Sequence, residues 1–184
     1  MLMELWTLRD EAEYETLMHE GILTTNERFI DPDYRRAYDW MASELAKRVI
    51  PPPEAESYPL WAWWRWSGVR RPRPDLRFRH RSRGAPSVRI HFEIDSSQVL
   101  LSDYMGWHSV LNDFCHAITM EDLEQYEDME KTLKPSDFEQ VKLQSWQQIF
   151  DLSLLPDPDT HVVQAVFWAL RKEQVKGVDY FIAR

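Results

Sequence analysis

The chain has 184 residues, 43% hydrophobic and 29% charged, which suits a soluble globular protein with a real core, read as a single domain over 1–184. A net charge of −9 argues against indiscriminate nucleic-acid binding, and the lone Cys115 excludes an internal disulfide or a cysteine-based zinc site. No apolar run approaches the roughly 20 residues of a membrane span, and residues 1–10 lack the basic region and apolar stretch of a secretion signal, so no membrane and a cytoplasmic location are expected.

Leu5 to Leu8 reads as a first strand. Asp10 then caps a helix with the inner stripe Tyr14, Leu17 and Met18, stopped by Gly21. Asp31 and Pro32 open a second helix with Tyr34, Ala37, Tyr38, Met41 and Leu45 on one face, ended by Pro51, Pro52 and Pro53. Leu60 to Trp66 reads as a strand and Gly68 to Gly84 as an exposed loop. Val88, Ile90, Phe92 and Ile94 alternate with Arg89, His91, Glu93 and Asp95, the pattern of a half-buried strand. A strand at Gln98 to Ser102 follows, then a helix with Trp107, Val110, Leu111 and Phe114 on one face. Met120 to Leu133, rich in acids, reads as a solvated helix or a mobile loop. Ser136 and Glu139 suggest a capping box for a helix that buries Phe138, Val141, Trp146, Ile149 and Phe150. The prolines Pro156 and Pro158 break that helix. His161 to Leu170 reads as a buried strand and Val178 to Ile182 as an edge strand. Strands at both ends with helices between them predict an α+β fold, a mixed or antiparallel sheet with helices packed on it.

Chemistry is sparse. His108 and His116 cannot share a metal without a third ligand, so no metal site is expected. Cys115 and His116 point about 100° apart on a helix and do not make a nucleophile–base pair. There is no glycine-rich phosphate loop. Arg89, His91, Glu93 and Asp95 form either a solvated sheet face or a cleft wall. The strongest feature is a cluster of eight arginines from Arg65 to Arg83, directly behind Trp61, Trp63, Trp64 and Trp66. Such crowding demands anions. Three readings stand: the acids of 121–139 and Asp75 neutralise the loop; Arg65, Arg70 and Arg77 fork onto phosphates while a tryptophan stacks on a base; or the loop docks a protein. Asp75, the only acid among these arginines, is expected to pair with a flanking arginine and orient it.

Several stretches then form a familiar set: Leu5-Trp6-Thr7-Leu8, Ala37-Tyr38-Asp39-Trp40-Met41, Tyr58-Pro59-Leu60-Trp61-Ala62-Trp63, Arg73-Pro74-Asp75-Leu76-Arg77, Leu100-Leu101-Ser102-Asp103, Ser145-Trp146 and Gln164-Ala165-Val166-Phe167-Trp168. Together they resemble the bacterial and phage domain-of-unknown-function family numbered 3841. More distantly, the opening strand and helix followed by Glu20-Gly21-Ile22-Leu23, with the ending from Gln164 through Glu173, resemble ADP-ribosyltransferase-like domains. In that superfamily the first strand carries a His or Arg that holds NAD, and a late strand carries a catalytic Glu. The corresponding positions here are Thr7 and Gln164. Glutamine cannot serve as a carboxylate, which argues against the usual transfer chemistry. The resemblance implies an NAD or ADP-ribose type of ligand, with Trp6, Trp61 and Trp63 shaping the pocket and Arg9, Arg65 and Arg77 taking phosphates. The alternative is a non-enzymatic module or inhibitor that docks a protein or nucleic acid through residues 65–83.

Overall fold

A computed structural model describes residues 1–77, 83–155, 157 and 159–184. It is an α+β fold built on a six-stranded sheet. The chain runs β1 (Leu2–Asp10), α1 (Glu11–Glu20), β2 (Ile22–Leu23), β3 (Thr25–Asn26), α2 (Arg35–Arg48), β4 (Ser57–Tyr58), β5 (Leu60–Arg65), β6 (Pro86–Asp95) and β7 (Leu100–Asp103). It continues through α3 (Tyr104–Leu111), α4 (Met120–Thr132), α5 (Pro135–Trp146), β8 (Val163–Phe167), β9 (Leu170–Arg171) and β10 (Val175–Ile182). The main sheet has the order β10-β6-β1-β5-β8-β7 with every neighbour antiparallel, which decides between the mixed and antiparallel alternatives. Two short ribbons, β2 with β9 and β3 with β4, lie beside it.

One face of the sheet is buried from β6 to β8, and the other is covered only where β5, β8 and β7 run. The alternation along β6 sends Val88, Ile90, Phe92 and Ile94 into one core with Leu5, Leu60, Ala62, Ala165 and Phe167, beneath Tyr14 and Leu17 of α1. The opposite face takes Leu100 and Val166, with Trp61 partly buried, under Ala37, Met41 and Leu45 of α2, Trp107 and Val110 of α3, and Trp146 of α5. All five residues of β8 are therefore buried, which is why its sequence shows no alternation.

Helix ends follow local chemistry, with two departures from the sequence reading. Gly21 adopts φ 82° and its N–H closes α1 onto the Leu17 carbonyl at 2.9 Å, the conformation only glycine takes without strain. Asp31 caps a single 3₁₀ turn, Pro32–Tyr34, that leads into α2. The capping box expected at Ser136 and Glu139 is absent. Lys134 is the N-cap without a side-chain bond, the Ser136 hydroxyl bonds the Asp137 carboxylate, and Glu139 pairs with Arg36 and Lys142. Charged partners outbid the local cap. Phe114 is not on the α3 face either: α3 ends at Leu111, Asp113 turns the chain at φ 59°, and Phe114 points outward. Its carbonyl accepts a hydrogen bond from Trp146 Nε1 at 2.7 Å. The acidic segment is a regular helix, α4, with no buried residue, as a solvated helix requires.

His116 lies buried behind α3, where burial pushes its imidazole below the ordinary value of 6.5 against the opposing pull of Asp103 and Asp122. The unfolded chain therefore takes up a proton near 6.5 that the folded chain does not. Stability is complete above that pH and falls as pH drops toward the lowered value. Urea unfolding followed across this range is expected to show that decline, and His116→Asn to flatten it. An unchanged slope in the variant would contradict the assignment.

Candidate functional site

β1 and β5 are neighbours in the sheet, yet they pair at one register position, Trp6 opposite Trp63. Beyond it, side chains replace the ladder. Thr7 Oγ1 donates to the Trp61 carbonyl at 2.8 Å, Arg9 Nε donates to Thr7 Oγ1 at 3.2 Å, and Arg9 Nη2 reaches the Trp61 carbonyl at 3.4 Å. A threonine and an arginine at the end of β1 hold the strands together at one point and let the backbones part. In the parting lies a cavity of about 840 Å³, within the usual size of a small-molecule site. Thr7, Leu8, Arg9 and Asp10 line it from β1, Glu13 and Thr16 from α1, Tyr38 from α2, Leu60 to Trp63 from β5, and Gln164 from β8. Phe29 and Ile30 also line it.

The walls are aromatic and the inner groups polar. Tyr38 meets Trp61 edge-on at 5.9 Å and Trp107 at 5.6 Å, while Trp61 and Trp107 lie 4.7 Å apart. Burial raises the Tyr38 hydroxyl above its ordinary value, so it stays neutral. Arg9 is largely buried, and Glu13 Oε1 lies 3.4 Å from its Nη1. Glu13 Oε2 accepts from the Asp10 backbone N–H at 3.0 Å. The cleft thus presents a buried guanidinium, an amide and aromatic faces.

Of the residues expected to bind, Thr7, Arg9, Trp61, Trp63 and Gln164 meet in this cleft. Trp6 and Arg65 lie elsewhere, lining a shallow hollow with Glu4 and Pro72. Trp6 stacks on His91 at 5.0 Å, and the Arg65 guanidinium sits 3.9 Å over the Trp64 ring. Arg77 is in a third place, beside Arg83, Gly84 and Phe181. Asp75 grips Arg77 with both carboxylate oxygens, at 3.0 Å from Nε and 2.6 Å from Nη2. Both groups are solvent-accessible, so salt screens the pair and its contribution to stability is small.

The arginine loop is anchored on the sheet. The amides of Gly68 and Val69 bond the carbonyls of His161 and Asp159, and the buried Arg89 reaches the Pro74 carbonyl as well as Asp179. Arg70, Arg71 and Arg73 are exposed. Among the described residues none of them pairs with α4; Glu139 is taken by Arg36 and Lys142 instead. Arg79, His80, Arg81, Pro156 and Pro158 lie outside the described residues.

The strand face of Arg89, His91, Glu93 and Asp95 is a paired sheet surface: Arg89 holds Asp179, Lys176 holds Glu93, and the N-terminal amine lies 3.5 Å from Asp95. Cys115 is half-buried and burial raises its thiol, a poor nucleophile. Among the described residues no group of three metal-ligating side chains gathers, and no helix is long and apolar enough to cross a membrane.

Sequence reading alone missed Asp10, Glu13, Tyr38 and Phe29 as cleft residues. Glu13 could have been found, since it stands three residues after the cap Asp10 and four after Arg9. Tyr38 and Phe29 arrive through tertiary packing and leave no local signal. Neither the curated proteins nor the solved structures compared with this chain give a match. A family model described as Domain of unknown function (DUF3841) matches residues 4–176, nearly the whole chain, and the protein belongs to that family.

Proposed function

We propose that the cleft between β1 and β5 binds a nucleotide of the NAD or ADP-ribose type, in a fold of ADP-ribosyltransferase character. One observation carries the reading. Thr7 from the first strand and Gln164 from a late strand, the two positions that the resemblance pairs around NAD, line the same cavity with the buried Arg9 between aromatic walls. Arg9 is suited to a phosphate oxygen, since a guanidinium presents its donors in a fixed fork. Tyr38, Trp61 and Trp63 offer ring faces and edges to a base. The usual transfer chemistry is not part of the proposal, because the amide of Gln164 cannot supply a carboxylate and Glu13 is engaged by Arg9 and the Asp10 backbone N–H.

Titration of NAD, ADP-ribose and ATP against intrinsic tryptophan fluorescence tests the reading, with a thermal melt alongside. Quenching and a raised melting temperature are expected for at least one adenine nucleotide. The absence of both at millimolar ligand would overturn it. Arg9→Ala is expected to weaken binding by about 10–100-fold, the loss of hydrogen bonds to a charged group.

A second reading is favoured by the exposure of Arg70, Arg71 and Arg73 on an anchored loop. In it the loop docks a nucleic acid or a protein, and the chain acts as a binding module or inhibitor. Binding of a phosphate-rich partner would fall steeply with salt. Replacement of these three arginines by alanine would abolish it while leaving the cleft intact.

A further inference from the structure

Among the described residues five buried side-chain atoms have no hydrogen-bond partner: Nε2 of His91, Oδ1 of Asp103 and, on neighbouring strands, Nε1 of Trp61 in β5, Oε1 of Gln164 in β8 and Oγ of Ser102 in β7. The sheet register brings the last three together on one face. Gln164 lies opposite Trp63 on one side and Ser102 on the other, and Trp61 lies opposite Val166, one step along the same face. Gln164 is 7% exposed, and both it and Trp61 line the cleft. Buried polar groups in folded proteins are almost always paired, so unpaired atoms on two residues that line a cavity mark a place where a ligand supplies the partners. An indole N–H can only donate and an amide oxygen can only accept. Their complement is a planar group with an acceptor beside an N–H. Phosphates and carboxylates have no N–H to offer the glutamine oxygen, and the aromatic walls favour a flat ring.

We propose that Trp61 and Gln164 read the hydrogen-bonding edge of the ligand, an N–H next to an acceptor, as found in a primary carboxamide on a pyridine ring and in an aminopurine. The inference rests on the nucleotide reading above and adds to it which chemical edge is selected. It also gives Gln164 a role of its own: the amide that replaces a carboxylate becomes a specificity determinant.

Competition binding with dinucleotide analogues tests it. The first arm compares NAD with the analogue whose carboxamide is a carboxylate. The second compares NAD with the analogue whose adenine lacks its 6-amino group. The wild-type chain is expected to bind one of the two analogues about tenfold or more less tightly than NAD, and the arm that shows the loss identifies which ring lies against Gln164. In Trp61→Phe and Gln164→Leu the same comparison is expected to shrink to about twofold, as the site no longer has a pair to leave unsatisfied. The wild-type arms need no variant, so a variant that fails to fold does not rescue the proposal. Equal binding of NAD and both analogues overturns this inference and leaves the nucleotide reading standing. Discrimination that persists in folded variants also overturns it. If none of the dinucleotides binds, the nucleotide reading falls and this inference with it.

Discussion

Trp146→Ala is expected to lower the unfolding free energy by about 3–5 kcal/mol, the range for removing a large buried aromatic side chain. Trp146 is among the largest fully buried side chains and closes the core beneath α2, α3 and α5. Its ring meets Trp40 edge-on at 5.3 Å, and the Arg36 guanidinium lies 5.3 Å over it. Its Nε1 donates to the Phe114 carbonyl, fixing the turn after α3. Alanine leaves a cavity and strips that carbonyl of its partner. Trp146→Phe separates the two effects, retaining most of the packing and losing the hydrogen bond, with an expected cost of about 1–3 kcal/mol. Urea unfolding measures both. A loss under about 1 kcal/mol for the alanine variant would mean that the core collapses around the site, contrary to the close packing expected of protein interiors.

The second large effect belongs to Lys142. Its ammonium is buried and bonds Asp113 at 2.8 Å and Glu139 at 3.1 Å, while Arg36 joins the same two carboxylates from α2. Two cations and two anions thus form a closed ring across α2, α5 and the turn before α4. Burial works against the charge of Lys142, but the hydrogen bonds to Asp113 and Glu139 outweigh it and raise the ammonium above its ordinary 10.5. Lys142→Met keeps the apolar stem and removes the charge. The carboxylates are partly exposed and regain water, so the expected loss is about 2 kcal/mol rather than the larger cost of stranding a buried ion. The sign with pH follows. A raised folded value means that this contribution is complete below 10.5 and is lost as pH climbs through the raised value. Alkaline unfolding is expected to begin earlier in wild type than a chain without this ring would require, and Lys142→Met to remove that part of the dependence.

The elements that the sequence revealed are those decided within a few residues of themselves. Asp10 and Gly21 bracket α1 because a cap and a left-handed stop act locally. β6 is legible because only one of its faces enters the core built by Val88, Ile90, Phe92 and Ile94. What was not legible depended on distant partners. Ser136 lost its capping role because Glu139 answers to Arg36 and Lys142. Phe114 left its helix face because its carbonyl serves Trp146, far along the chain. The cleft shows the same division. Thr7, Arg9 and Gln164 came from a resemblance, Trp61 and Trp63 also from their ring chemistry, and the structure gathers all of these in one cavity. Arg65 and Arg77, chosen for charge alone, lie in separate hollows, since the number of arginines says nothing about where each one points.

The central claim is that a nucleotide enters the parting between β1 and β5, and the indole N–H signals of the nine tryptophans report on it directly. Trp61 lines the cleft and its buried Nε1 has no partner among the described residues, whereas Trp146, fully buried in the core that Trp61 flanks, has its Nε1 held by the Phe114 carbonyl. In a proton–nitrogen correlation spectrum recorded as NAD is added, the Trp61 indole signal is expected to move with saturation while that of Trp146 stays in place. Unmoved Trp61 and Trp63 signals at millimolar NAD, or movement confined to Trp64 and Trp66 beside the arginine loop, would contradict the claim.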